Sequence, residues 1–297
     1  MGNSAGSPHV SDANQYGLVQ YLKQWGAKAS LNLANGNLPM LAVEHGSLTF
    51  TSGPVAESVD AGLTIFGPNQ VKTDYILVAK KSITSLAALK GTTFAVSTAG
   101  APDALLLGMA LKKAHLASSA VHVTYSGSSS ANFDALLSGR LDAAWVHISA
   151  LTKIGAHLHV LAYAYQLAPT FADSFMLARP AWLKSHFALA EAIDLAWLAE
   201  AKRFDTNESS WIGVVNQYTK HADTTATIRQ DYTQLKTIHG WPDNAAAFSY
   251  AIALHNVLLA KASGELKGAG DRPVSQLIDA APWQAALKIF LSHESSY

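Results

Sequence analysis

The chain has 297 residues, 49% of them hydrophobic and 14% charged, a balance that supports packed cores and excludes a disordered polymer. Lysine plus arginine and aspartate plus glutamate both number 21, so no net field draws in a nucleic-acid backbone or an anionic membrane surface. Cysteine is absent, which excludes disulfides, thiolate metal sites and a cysteine nucleophile, and no apolar run reaches the roughly 18–20 residues that cross a bilayer.

After a Ser-Pro loop, "DANQYGLVQYLKQWG" predicts a helix with Ser11 or Asp12 as N-cap, Tyr16, Leu18, Val19, Leu22 and Trp25 at helical spacing, and Gly26 as its stop. "ASLNLA" alternates as a strand. "NLPMLAVEHG" predicts a short helix with Pro39 near its start, "SLTFTS" a strand, "PVAESVDAG" a short helix and "LTIFG" a strand, which is the βαβ rhythm of a parallel sheet. "KTDYILVAKK" is an extended run that leaves this first set. The second set comprises a helix "SITSLAALKG" ending at Gly91, a strand "TTFAVS", a helix "PDALLLGMALKKAHL", a strand "VHVTYS", and a helix "SANFDALLSG" capped by Ser130. "LDAAWV", "SALTKIGA" and "HLHVLAYAY" complete it. "SFMLARP" is a second extended run, and from Pro180 onward the pattern is helical, with one long helix "AWLKSHFALAEAIDLAWLAEAKRF" and a late one in "AAFSYAIALHNVLLAKASG".

The two sets repeat at one spacing. Leu141, Gly139 and Ala135 of "ALLSGRLDAAW" stand 93 residues after Leu48, Gly46 and Ala42, and Gly155 stands 93 after Gly62. "STAGAP" (97–102) lies over "SAGSPH" (4–9) at the same offset. A duplication of this kind predicts an α/β protein of two similar doubly wound lobes joined by two crossover segments, with the C-terminal helices on the first lobe. The expected boundaries are 1–78 with 176–297 for the first lobe and 79–175 for the second. The offset also predicts a strand equivalent to "TTFAVS" ahead of Ser4 and a signal peptide ahead of that, and two short crossings permit hinge closure around a ligand.

Parallel α/β sheets gather ligands at the carboxyl ends of their strands. The loops expected there, "SAGSPHVSDAN", "TSGPVAES", "STAGAPD" and "SGSSSANFD", are small, hydroxylic and glycine-bearing, and each leads into a helix. Helix amino termini and serine hydroxyls offer donors enough to hold a carboxylate, sulfonate, phosphate or nitrate without an arginine. The same serines also serve as plain helix caps. His147 falls at a strand's carboxyl end and is a ligand candidate, while Trp145, Tyr125, Phe133, Tyr75 and Phe171 are candidates for an apolar wall. "GSSSA" resembles a nucleophile elbow with Ser129 as nucleophile, for which His147 or His159 with Asp173 are available partners. His157 and His159 have the spacing of a metal pair but lack a third ligand, so neither metal nor cofactor is expected. Asp134 and Asp142 read as structural hydrogen-bond partners. No P-loop, Gly-x-Gly-x-x-Gly or His-Glu-x-x-His is present.

"KKSITSLAALKGTTFAV", "ALLSGRLDAAW" and "RPVSQLIDAAPWQAAL" together resemble the nitrate, sulfonate and taurine type of extracytoplasmic solute-binding protein. The resemblance implies a type II periplasmic-binding-protein fold and a periplasmic, monomeric, non-enzymatic receptor. Its partners would be a small organic or anionic solute in an interlobe cleft and the membrane permease of an ABC importer, with no nucleic acid. It places Ser52, Ser97, Thr98, Gly100, Ala101, Ser126 and Ser128 at ligand-loop positions, to which the glycine of the first loop, Gly53, and His147 are added from the reading above. The same fold used in pyrimidine-precursor synthesis or as a sensor is the alternative, and a serine hydrolase built on Ser129 a more distant one.

Overall fold

The computed structural model describes residues 10–31, 38–172, 174–221, 223–241, 249–264, 266 and 268–293. The chain folds as two compact units, one drawn from Met1–Lys72 and Ala172–Tyr297, the other from Thr73–Phe171.

The first unit opens with helix α1 (Val10–Gln24), α2 (Leu38–Glu44), strand β1 (Phe50–Gly53), α3 (Val55–Asp60) and β2 (Thr64–Gln70). The second comprises β3 (Tyr75–Lys80), β4 (Thr93–Val96), α4 (Pro102–Lys113), β5 (His122–Tyr125), α5 (Ser129–Leu137), β6 (Ala143–His147), β7 (Leu158–Tyr163) and α6 (Ala164–Leu167). The chain then returns to the first unit with β8 (Ser174–Ala178), α7 (Pro180–Ser185), α8 (Phe187–Thr206), α9 (Glu208–Thr219), α10 (Thr225–Ile238), α11 (Tyr250–Ala262), α12 (Val274–Leu277) and α13 (Ala281–Ser292).

The sheets are ordered β1-β8-β2 and β5-β4-β6-β3-β7. In the first, β8 runs antiparallel to β1 and to β2, so these two point the same way without sharing a hydrogen bond. In the second, β3 stands in the same relation to β6 and β7, while β4 pairs parallel with β5 and β6. The parallel βαβ rhythm of "SLTFTSGPVAESVDAGLTIFG" is therefore interrupted by a strand from far along the chain. β3 is buried almost throughout, which is why "YILVA" is an unbroken apolar run: a central strand covered on both faces has no polar side to alternate with.

The 93-residue offset holds through three elements, the first being α2, which maps onto α5. β1 maps onto β6, α3 onto the 3₁₀ segment Ile148–Lys153, and the stops Gly46 and Gly139 both have positive φ (81° and 74°), which glycine accepts without a Cβ penalty. The offset then slips. Each sheet breaks register opposite its antiparallel strand, β8 or β3, at Phe66 in β2 and at Leu161 in β7, and those positions are 95 apart. Gly62 has positive φ and Gly155 does not, so this anchor of the repeat is a match of letters and not of structure. Residues 4–9 lie outside the described residues.

Several expectations are corrected. The boundaries after 78 and after 175 fall inside β3 and β8; the chain changes unit ahead of each strand, because a strand hydrogen-bonded on both sides belongs wholly to one sheet. Helix α1 begins at Val10, so Ser11 and Asp12 lie within it. Residues 29–31 of "ASLNLA" are not a strand, and the rest of that stretch lies outside the described residues. "SITSLAALKG" yields one 3₁₀ turn, Leu86–Leu89, with Ser85 accepting from Ala88 N–H. The long helix from Ala181 breaks at His186, whose non-helical backbone (φ −132°, ψ 38°) separates α7 from α8.

The core of the first unit gathers Val59, Ile65, Leu177, Leu198, Val257, Trp283 and Phe290. Ala190, Ile193, Trp197, Ala201 and Phe204 recur at three and four residues along α8 and form its buried face. Burying each large side chain contributes about 1.5–3 kcal/mol.

Candidate functional site

In the second unit β4, β5, β6 and β7 point the same way, and β3 enters between β6 and β7 from that edge. Their carboxyl ends and the amino end of β3 therefore bring together residues 97–101, 126–128, 147 and 74–75.

Beneath the first two loops lies a polar network centred on Asp103, which is fully buried in the first turn of α4. Ser97 donates its backbone N–H and its hydroxyl to Asp103 Oδ2, each at 2.7 Å. Asn132 Nδ2 donates to the same oxygen at 3.2 Å, and the Ser126 hydroxyl donates to Asn132 Oδ1 at 2.5 Å. Burial pushes the Asp103 carboxyl up from its ordinary range, opposed first by the Ser97 hydrogen bonds and at longer range by His147. The network ties the β4–α4 loop to the β5–α5 loop. Buried hydrogen bonds converging on one carboxylate oxygen favour a single geometry, which is what a preorganised binding loop needs.

The sequence-derived residues take separate roles against this frame. Ser97 and Ser126 direct their hydroxyls into the network. Ser128, not Ser130, caps α5, its hydroxyl accepting from Ala131 N–H at 3.2 Å. Thr98 is exposed, Gly100 has φ 79°, and Ala101 is the N-cap residue of α4, with Pro102 following. In the first unit, Ser52 accepts from Gln15 Nε2 at 3.0 Å. A Cβ on Gly53 would meet Met40 Cε and Ser58 Oγ at 3.1 Å, so this glycine is packed into its own unit.

His147 ends β6 with its Nδ1 2.9 Å from Asp74 Oδ1 and its ring over that of Tyr75, centroids 4.4 Å apart. Asp74 escaped the sequence reading although it sits within "KTDYILVAKK"; its signal was a lone acid at the head of an apolar strand. Asp103 and Asn132 were equally hidden, since an acid in a helix's first turn reads as an ordinary capping contribution.

Trp145 and Phe133 are core residues and Phe171 is buried, whereas Tyr125 is exposed on β5. For the hydrolase reading, Ser129 is buried in the first turn of α5, the acid bonded to His147 Nδ1 is Asp74, and His159 Nε2 lies 2.8 Å from Ile83 O. Asp173 lies outside the described residues. His157 and His159 face separate carbonyls, of Leu136 and Ile83, and among the described residues no group of three or more potential ligands could hold a metal ion. Asp142 sits at the opposite end of the sheet, bonded to Lys80 Nζ at 2.7 Å and Thr93 N at 2.8 Å. Burial raises its carboxyl, but Lys80 and the Thr93 amide outweigh that and hold it below the ordinary range.

The chain, with its two β-sheets each carrying one strand antiparallel to its neighbours, matches solved structures over almost the whole length. The ligand-binding component of an ABC-type import system from Staphylococcus aureus, with zinc bound, is 15% identical at TM-score 0.74, covering 96% of this chain and 97% of that one. The periplasmic sulfonate-binding protein SsuA of a putative sulfonate ABC transporter from Methylobacillus flagellatus KT is 18% identical at TM-score 0.74, covering 98% and 94%. The chain has the periplasmic-binding-protein fold. Residues 56–198 of this binding-protein fold match the family NMT1/THI5 like. A cysteine-to-serine mutant of the desulfurization enzyme DSZB, in complex with biphenyl-2-sulfinic acid, is a further match at 11% identity and TM-score 0.64, covering 97% and 98%. No curated protein matches the chain by sequence. Among the described residues no helix is long and apolar enough to cross a membrane.

Proposed function

We propose that the protein is the extracytoplasmic solute-binding receptor of an ABC importer, binding a small sulfonate-like or other organic anion and passing it to a membrane permease. The carrying observation is the loop edge of the second unit: two hydroxylic loops held in one geometry by Asp103, beside His147. The match with an import-system component supports the receptor role, and the match with a sulfonate-binding protein supports the class of ligand. The receptor acts as a monomer, without cofactor and without chemistry, at the Thr98, Gly100, Ala101, Ser128 and His147 positions. Ser52 and Gly53 at the end of β1 are the first unit's counterpart.

A thermal-shift screen of sulfonates, nitrate, bicarbonate, pyrimidines and aromatic carboxylates tests this. A true ligand at a hundredfold excess over Kd stabilises by about 2.7 kcal/mol and raises Tm; failure of every anion to shift Tm would refute the anion reading. The likeness to DSZB favours one second reading, turnover of an aromatic sulfinate. The chain has no cysteine, so a thiolate route is closed to it. Incubation with biphenyl-2-sulfinic acid should release no sulfite, and release would establish the enzyme reading.

A further inference from the structure

Asp74 and His147 form a pair whose geometry goes beyond a surface contact. The carboxyl of Asp74 and the ring of His147 are 7% and 16% exposed, 2.9 Å apart. Both backbones are fixed: Tyr75 and His147 are register partners of β3 and β6, and Ile148 N–H donates to Asp74 O at 2.8 Å. The Tyr75 ring lies against the imidazole and limits its rotation. A buried carboxylate needs a donor, and Nδ1–H of His147 is placed to supply it. The neutral ring then carries its lone pair on Nε2.

We propose that Asp74 is a positioning residue that holds His147 as the Nδ1–H tautomer, and that the pair makes the binding of a small anionic solute proton-linked, the imidazole gaining a proton as the solute binds. This rests on the solute-binding reading above. Residues 97–101, 126–128 and 147–148 contain no lysine or arginine, so within these loops the titratable group that can bring positive charge is His147. The titratable groups facing it are Asp74 and Tyr75 at the head of β3 and Asp103 on α4. Two carboxyl groups oppose an incoming anion, and an imidazolium between them offsets that. An anion near the ring in turn favours its charged form. Affinity then falls as pH rises through the ring's midpoint, about tenfold per pH unit once the ring is neutral.

Two measurements decide it. Nitrogen-15 spectra of the imidazoles, assigned with His147→Gln, should show His147 as the Nδ1–H tautomer in its neutral form. Asp74→Ala should shift it toward Nε2–H, while Asp74→Asn, whose amide oxygen still accepts, should keep the tautomer and lower the protonation midpoint by about one pH unit. A parent tautomer protonated on Nε2, or an Asp74→Ala spectrum unchanged in tautomer and midpoint, overturns the positioning role. In calorimetry, ethanesulfonate should bind about tenfold more weakly at pH 8 than at pH 6, with buffer-dependent heats showing proton uptake and with the pH dependence lost in His147→Gln. Binding that is equal at both pH values overturns the proton linkage. Absence of ethanesulfonate binding at either pH counts against the solute reading and overturns the linkage, while the tautomer spectra judge the positioning role separately.

Discussion

Individual side chains of this protein are tuned by what burial leaves them to bond. Asp103 accepts three hydrogen bonds on one oxygen, and Asp103→Ala strands the Ser97 amide and the Asn132 side chain. The expected cost is about 2–3 kcal/mol in chemical denaturation, since buried donors left without an acceptor lose their full desolvation penalty. Asp194 on α8 is the opposite case. It is fully buried against Gly67 of β2, neither carboxyl oxygen has a hydrogen-bond partner among the described residues, and burial, then the charge of Asp279, holds its carboxyl well above the ordinary range. The folded state thus binds this proton more tightly than the unfolded chain does. Its contribution is greatest below the ordinary carboxylate range and is lost as pH rises toward the folded value. Asp194→Asn, uncharged at every pH, should therefore be more stable than the parent at neutral pH, and should flatten the rise in stability that the parent shows on acidification. Urea denaturation at pH 5 and pH 7.5 measures both.

At the scale of elements, the duplicated α–Gly–β unit offers a matched pair of substitutions. Gly139 has φ 74° and open space where a Cβ would stand, so Gly139→Ala should cost only the left-handed backbone penalty, about 1–2 kcal/mol. Gly46 has φ 81°, but Arg179 Nη1 lies 2.8 Å from the same point, so Gly46→Ala should cost more, the difference being the displacement of the guanidinium. Equal losses in thermal denaturation would show that the arginine withdraws freely. Most helices and strands were legible as period and punctuation: "LDAAWV" and "YILVA" as apolar runs, Gly46, Gly91 and Gly139 as stops. What stayed hidden depends on competing contacts that composition does not rank. "SITSLAALKG" has helical composition, yet Ser85 accepts from Ala88 N–H as the N-cap, so the helical turn starts only at Leu86. His186 looks like any surface residue of a long helix, though its ring stacks on Trp182, centroids 5.3 Å apart, where the helix breaks. The site followed the same rule. Its loops were visible from their glycines and serines, but which serine caps and which binds an acid are choices among several nearby candidates, and which acid holds the histidine is set by cross-strand register, of which local sequence carries no record.

Across the whole molecule, the two units differ in how the chain supplies them. The second is contiguous from Thr73 to Phe171 and its five strands need nothing from outside that range. Expressed alone, residues 73–171 should fold and unfold cooperatively in urea, with an m-value of about 1–2 kcal/mol/M for a unit of this size. A broad, non-cooperative transition would show that its strands depend on the rest of the chain.

The first unit is supplied from both ends, and its central strand arrives late. β1 and β2 are complete by residue 70, but the strand that joins them, β8, begins at residue 174. During synthesis the ribosome releases an entire second unit while two half-made strand edges wait for their partner. Such edges recruit other chains, and closing them spans more than a hundred residues, a long-range pairing expected to slow folding. The expected order of maturation is therefore the reverse of the order of sequence, the second unit first, with the first unit's strand edges open to misassembly until β8 has been translated.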